Sequence, residues 1–370
     1  MPLFSQQIAS HLGPTDLDGY VKRILSERRD DVISELGLTR IEIPFFNVSS
    51  ELSHLLVLNK LYEARLSITG VVDKHDTSSY YPSTPLQQEL KKILKEVNHT
   101  AYRHGSKATV RILDLGYTPD GITKLLLSGH ENVQGLGIKL HRDVTNTTGK
   151  FSPQSHAQLT AYDGDVRSIE AVQRTIECGA VPYTASQGSH AQGFDIVLAN
   201  AVLLLEAHEP CAHFAYAQLL LAIQNTGLGG VLVIALETRP LGYVVEIISI
   251  LKQSFEAITA VAPSQTIRPI VYIVCRGFGA SEGARRMHSS RIREVLRDME
   301  DVASAATSNR HSAVPEMVEA VEKRQRLFVT VEDILKPIWK EQHRYVHRRL
   351  LGELSKDFIY SRSSGVDPKI

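Results

Sequence analysis

Between Ala108 and Gly279, short runs of β-branched and aliphatic residues alternate with helix-period segments, and this alternation limits the fold of the 370-residue chain more than any other feature. The runs are TVRILDL (109–115), VQGLGIKL (133–140), AQLTAYDGD (157–165), FDIVLAN (194–200), GGVLVIALE (229–237), AITAVAP (257–263) and PIVYIVCRGF (269–278). Strand, helix, strand in repetition predicts a doubly wound α/β sheet that is mostly parallel. Leu241, Val244, Val245, Ile247, Ile248 and Leu251 give the helix that follows the fifth run an apolar face to pack on that sheet. The last two runs lie too close for a crossover helix. They are predicted to form an antiparallel hairpin at the sheet edge.

On either side the pattern is helical, so three segments are expected: an N-terminal helical extension over 1–105, an α/β unit over 106–280, and a charged helical extension over 281–370. In the first, Leu52, Leu55, Leu56, Leu58, Leu61 and Tyr62, then Leu90, Ile93, Leu94 and Val97, keep helical spacing. The polar stretch Asp73 to Pro85 between them supports neither period and reads as a loop. In the last, Val331 to Phe358 is a predicted long helix that Pro337 starts or kinks. Arg344, His347, Arg348 and Arg349 form its basic cluster, most simply a solvated face. The extensions are the expected surfaces for any homo-oligomer.

Composition removes several classes of function. Lys+Arg and Asp+Glu are equal at 41 each, so the chain as a whole has no electrostatic pull toward nucleic acid or anionic membrane. Hydrophobic residues at 43% and charged residues at 22% fit a globular chain and not a disordered one. The three cysteines, Cys178, Cys211 and Cys275, are too few and too scattered for a disulfide framework or a zinc cluster. The apolar run Ile196 to Leu205 is about half a membrane span. The first residues, MPLFSQQIAS, lack a secretion signal's basic and apolar regions. A cytoplasmic protein with no membrane partner is expected, with a nuclear one as the lesser alternative.

The most informative segment is Arg111 to Leu127, RILDLGYTPDGITKLLL, where a buried strand ends at Asp114-Leu115-Gly116 and a helix starts near Gly121. Glycine is needed where backbone comes close to a ligand. The two glycines are spaced GxxxxG, without the GxGxxG that seats a pyrophosphate on a helix N-terminus. A nucleoside without phosphates suits this loop better than a dinucleotide, which sets aside a nicotinamide oxidoreductase.

This segment resembles the cofactor loop of FtsJ-like methyltransferases, whose pattern is close to hLDLGxxPGGhs. FDIVLAN resembles that family's fourth strand, Leu228-Gly229-Gly230-Val-Leu-Val-Ile its fifth, and Val271 to Phe278 its final hairpin strand. The likeness covers about 108–279. It implies a class I methyltransferase sheet with an antiparallel terminal strand, and S-adenosyl-L-methionine as cofactor. Position by position it implies cofactor contacts from Asp114, Gly116, Tyr117, Pro119, Asp120 and Gly121, with Asp120 where the family has a second small residue. At the end of the second strand an acid for the ribose hydroxyls is implied, yet Lys139 and His141 stand there. Asp165 and Val166, after the third strand, take the place of the adenine contacts.

The family's Lys-Asp-Lys-Glu tetrad is largely missing. Its aspartate position holds Asn200, its central lysine falls on Ala235, and its glutamate falls on Ile270 or Val271. Lys60, Lys74 and Lys91 cannot be told apart for the first lysine. Methyl transfer to a hydroxyl still needs a proton acceptor near a strand end. Glu206, His208, Glu209 and His213 follow Asn200, and Glu237 closes the fifth strand. The candidate catalytic set is therefore His208, Glu206, Glu237 and Asn200. The expected function is methyl transfer to a small molecule or RNA. The alternative is a catalytically inactive methyltransferase fold that serves as a scaffold or binds a partner.

Overall fold

The computed structural model describes residues 2–69, 92–93, 95, 97, 109–117, 122–123, 126, 133–140, 154–156, 159–179, 193–201, 211–262, 270–305 and 321–363. Its centre is an eight-stranded sheet: β1 (Val110–Leu115), β2 (Val133–Leu140), β3 (Gln154–His156), β4 (Leu159–Gly164), β5 (Phe194–Ala199), β6 (Thr226–Glu237), β7 (Phe255–Val261) and β8 (Ile270–Phe278). The strand order is β3-β4-β2-β1-β5-β6-β8-β7. β4, β2, β1, β5 and β6 run parallel, whereas β8 lies antiparallel between β6 and β7. This is the doubly wound arrangement, closed by a reversed hairpin, that the sequence reading expected.

Two details differ from the sequence reading. The third run is described as β4 from Leu159, and a short antiparallel strand, β3, pairs outside it. β3 was not foreseen, because three polar residues carry no alternation to detect. β6 begins at Thr226, ahead of the Gly229-Gly230 pair, with an irregular register against β5 between Phe194 and Ile196.

Among the described residues, five helices with defined ends precede the sheet: α1 (Gln6–His11), α2 (Leu17–Glu27), α3 (Arg29–Glu35), α4 (Glu42–Val48) and α5 (Ser50–Thr69). Within and after the sheet come α6 (Ile169–Gly179), α7 (Cys211–Asn225), α8 (Gly242–Ser254), α9 (Glu282–Ala305) and α10 (Val321–Ser363). α7 is apolar on every side and buried from Phe214 to Ile223, as a helix must be when no face meets water. α10 is longer than the expected 331–358, and Pro337 neither starts nor ends it. Pro337 sits on the exposed side of that helix, where its missing N–H leaves no buried acceptor orphaned.

Strand alternation divides the core. Leu113, Leu115, Val197, Leu232 and Ile234 face one side, in a core that runs from Leu3 and Phe46 through α7 to Trp339 and Leu354. Both extensions are thus built into the hydrophobic core of the sheet. Ile112, Ile196, Leu198, Val233 and Ala235 face the other side, with Ile93, Val97, Ile122 and Leu126. The extensions also hold the carboxyl edge directly. Trp339 Nε1 donates to the Thr238 carbonyl at 2.8 Å, and Arg239 meets the buried Glu42 carboxylate at 2.8 Å.

Candidate functional site

In an open α/β sheet, ligands bind beyond the strand carboxyl ends where the chain order reverses. Here that point lies between β1, which connects outward through β2 and β4, and β5, which returns on β1's other side. Gly116 follows β1 at φ 142°, and a Cβ there would stand 2.5 Å from the Ala201 nitrogen. The Ala201 N–H itself donates to the side-chain oxygen of buried Gln218 at 2.8 Å. Glycine is required, therefore, so that two loop backbones can close on each other. The close approach that the sequence assigned to a ligand is made by the chain itself. The Gly116 and Tyr117 N–H groups both donate to the Ile138 carbonyl, which fixes the turn against β2.

Tyr117 folds its ring back over Gly137, where a Cβ would come within 2.8 Å of it, and packs against Leu159 and Ala161. It is a core residue on the sheet face. Asp114, by contrast, is buried and incompletely paired. Thr123 Oγ1 donates to its Oδ2 at 2.5 Å, while Oδ1 has no partner among the described residues. Desolvation raises the Asp114 pKa from 3.8 to about 7, partly offset by the Thr123 hydrogen bond. Asn200, one residue past β5, is also buried with its Oδ1 unpartnered. The ends of β1 and β5, where Gly116 meets Ala201, thus carry two buried acceptor oxygens with no donor among the described residues. Buried oxygens in this state suit a ligand that brings N–H groups.

The other predicted positions divide. Lys139 is exposed at the end of β2, where its ammonium gives a ribose diol no acceptor. Asp163 is its register partner on β4, an acid that the sequence reading passed over. Asp165 is bound bidentately by Arg167, Nε to Oδ1 at 3.0 Å and Nη2 to Oδ2 at 2.7 Å, and Val166 is wholly buried. The Arg167 guanidinium lies 4.6 Å from the Phe214 ring. His213 is held 3.8 Å from Glu300, its pKa lowered mainly by burial. Glu237 accepts a hydrogen bond from Tyr243 at 2.8 Å, and burial beside that carboxylate raises the Tyr243 pKa, so its hydroxyl remains a donor. By strand parity Glu237 projects to the Asp114 side of the sheet. Pro119, Asp120, Gly121, His141, Lys74, Lys91, Glu206, His208 and Glu209 lie outside the described residues.

Sequence reasoning missed Thr123, Gln218, Arg167 and Tyr243. Thr123 was visible in the segment that carries Asp114, but its pairing depends on how the turn folds. Gln218, an amide inside the apolar stretch from Phe214 to Ile223, was a signal left unread.

No protein-family model matches the sequence, and no curated protein matches it. Among solved structures, the CurJ carbon methyltransferase is 14% identical, covering 71% of this chain and 84% of its own, at a TM-score of 0.36. Human methyltransferase-like protein 13, in complex with SAH, is 10% identical over 64% of this chain and 96% of its own, at 0.33. A probable spermidine synthase from Corynebacterium glutamicum is 15% identical over 62% and 83%, also at 0.33. The fold assignment rests on strand order and direction. Among the described residues, no helix is long and apolar enough to cross a membrane, and no group of three or more His, Cys, Asp or Glu is placed to hold a metal.

Proposed function

We propose that this chain is an S-adenosylmethionine-dependent methyltransferase whose cofactor lies at the β1–β5 crevice and whose acceptor is a small molecule or RNA. The observation that carries the reading is the pair of buried oxygens, Asp114 Oδ1 and Asn200 Oδ1, at the ends of β1 and β5, which have no partner among the described residues. A ligand ammonium would satisfy both and would hold Asp114 ionised. The FtsJ-like loop from Arg111 to Leu127 supports the same cofactor. When bound, the cofactor supplies an electrophilic methyl group on a sulfonium. The chain's own part is to orient and to accept a proton. Glu237, held by the Tyr243 hydroxyl, is the described candidate for proton acceptor, with Glu206 and His208 as the others. Trp339 and the Glu42–Arg239 pair fix the Thr238–Arg239 rim next to Glu237, so the extensions would shape the acceptor side. A reducing cytoplasm is the proposed location, since neither Cys211 nor Cys275 is in a disulfide.

A second reading, a methyltransferase fold retained as a scaffold, has its own support. Lys139 stands at the ribose position, and the Asp165 carboxylate is already bound by Arg167. Equilibrium dialysis with labelled S-adenosylmethionine separates the two. Micromolar binding that Asn200→Ala weakens at least tenfold supports the enzyme. No binding to folded protein supports the scaffold.

A further inference from the structure

At the amino edge of the sheet, away from Asp114 and Asn200, a groove of about 810 Å³ runs along the first turns of α9 beside the end of α7. It adjoins a second hollow of about 570 Å³ through Gln224 and Arg293, with Arg174 of α6 on the far wall. Arg286, Arg293 and Arg297 project into the groove from one stripe of α9, at spacings of seven and four residues.

The charges along the groove are unevenly matched. Glu282 is paired with Arg286 at 3.0 Å, and Glu294 with Arg291 at 3.0 Å. Arg293 and Arg297 have no carboxylate partner among the described residues, although like charges four apart on a helix repel. The floor is Arg285, whose Nη1 and Nη2 donate to the Gln224 and Thr226 carbonyls at 3.1 and 3.2 Å. Its guanidinium lies 4.6 Å from the Phe278 ring, and its buried Nε has no partner. Arg285 thus closes the end of α7, where its charge meets two carbonyl dipoles, a ring and the attraction of the Glu282 carboxylate. Ser289 and Ser290 add hydroxyl donors between the arginines. Glu170 and Glu177 line the second hollow, so the excess of donors lies on the α9 side.

We infer that this groove is an anion site for a ligand carrying two or more phosphoryl groups, held by Arg286, Arg293 and Arg297. Guanidinium forks match phosphoryl oxygens in geometry and charge. The stripe from Arg286 to Arg297 is about 16 Å long, at about 1.5 Å per residue, which one phosphate does not fill. The ligand is a free polyphosphate chain or a phosphodiester backbone. The site stands independently of the methyl-transfer reading, because it shares no residue with the crevice.

The test uses the full chain at low salt, with tripolyphosphate and a ten-residue oligouridylate as separate probes and sulfate at matched ionic strength as control. Arg293→Gln/Arg297→Gln removes only exposed side chains, and its melting curve verifies the fold. At least one probe is expected to bind below 1 mM, on the order of tenfold more tightly than sulfate, and to lose about tenfold in the double variant. Tighter tripolyphosphate points to a free polyphosphate, and tighter oligouridylate to a phosphodiester chain. The inference is overturned if neither probe outcompetes sulfate, or if the folded double variant binds both unchanged.

Discussion

The hydroxyl of Thr123 donates to Oδ2 of Asp114 across 2.5 Å, and no donor among the described residues reaches Oδ1, so the carboxyl edge of β1 holds a carboxyl group that burial drives toward its neutral form. Its folded pKa of about 7 lies above the unfolded 3.8, so between these values the folded state binds more protons than the unfolded. Stability from this group is present in the acid part of that window and is lost as pH rises through about 7. Asp114→Asn should therefore gain stability relative to wild type as pH rises from 5 to 8, by roughly 2–4 kcal/mol at the upper end. Urea melts at several pH values measure this. The same variant should lose S-adenosylmethionine affinity at least tenfold, because the amide removes the negative charge that offsets an ammonium. A variant less stable than wild type at pH 8, or one with full affinity, contradicts this account of the crevice.

Gly116 makes a separable prediction. Alanine there would set a Cβ 2.5 Å from the Ala201 nitrogen at a left-handed φ, and backbone on both sides leaves little room to relax. Gly116→Ala should cost about 2–3 kcal/mol and should disturb the Ala201–Gln218 hydrogen bond. Calorimetry reads the first effect, and amide exchange at Ala201 the second. Unchanged exchange would mean that the two loops are not locked together by this contact.

How far the sequence foretold these features depends on the range of the interaction concerned. The strand runs and the reversed hairpin were legible because they follow from local alternation and from the short span between Val261 and Ile270. Asp114 and Gly116 were legible as a strand end and turn, yet the reason for Gly116 was not, because Ala201 is distant in sequence. Asp165 stood out as an acid in a turn, but a neighbour two positions on already binds it. Glu237 was legible as a carboxylate at a strand end, whereas its donor Tyr243 lies on the next helix. The N-terminal helices gave no sign that Glu42 would be buried against Arg239, a pairing 197 residues apart.

Acid should loosen the joint between the extensions. His343 of α10 lies 5.9 Å from His54 of α5 and 5.9 Å from His347, ring centre to ring centre, and His347 Nε2 is 2.9 Å from Asp18 of α2. Burial first, then the two neighbouring imidazoles, lower the His343 pKa, against weaker attraction from Asp18 and Glu51. The unfolded state therefore takes up this proton first as pH falls through 6.5, and stability declines below that value. His343→Gln should flatten the fall in melting temperature between pH 7 and pH 5. Identical slopes in wild type and variant would assign the acid sensitivity to other groups.

The Glu42–Arg239 pair decides whether the N-terminal helices hold the sheet rim. Glu42 is buried and accepts from the Thr39 backbone N–H at 3.0 Å and hydroxyl at 2.9 Å as well as from Arg239, whose side chain stays 33% exposed. Arg239→Ala leaves a buried carboxylate without its counter-charge and should cost about 2–3 kcal/mol, below the full range for buried pairs because water reaches Arg239. Glu42→Gln in that background should recover part of the loss, since the amide keeps the Thr39 hydroxyl contact and carries no charge. Chemical denaturation of the two single variants and the double variant gives the coupling energy directly. Coupling near zero would mean that Trp339 and the apolar core dock the extensions alone, and that Arg239 is free to turn toward the acceptor side beside Glu237.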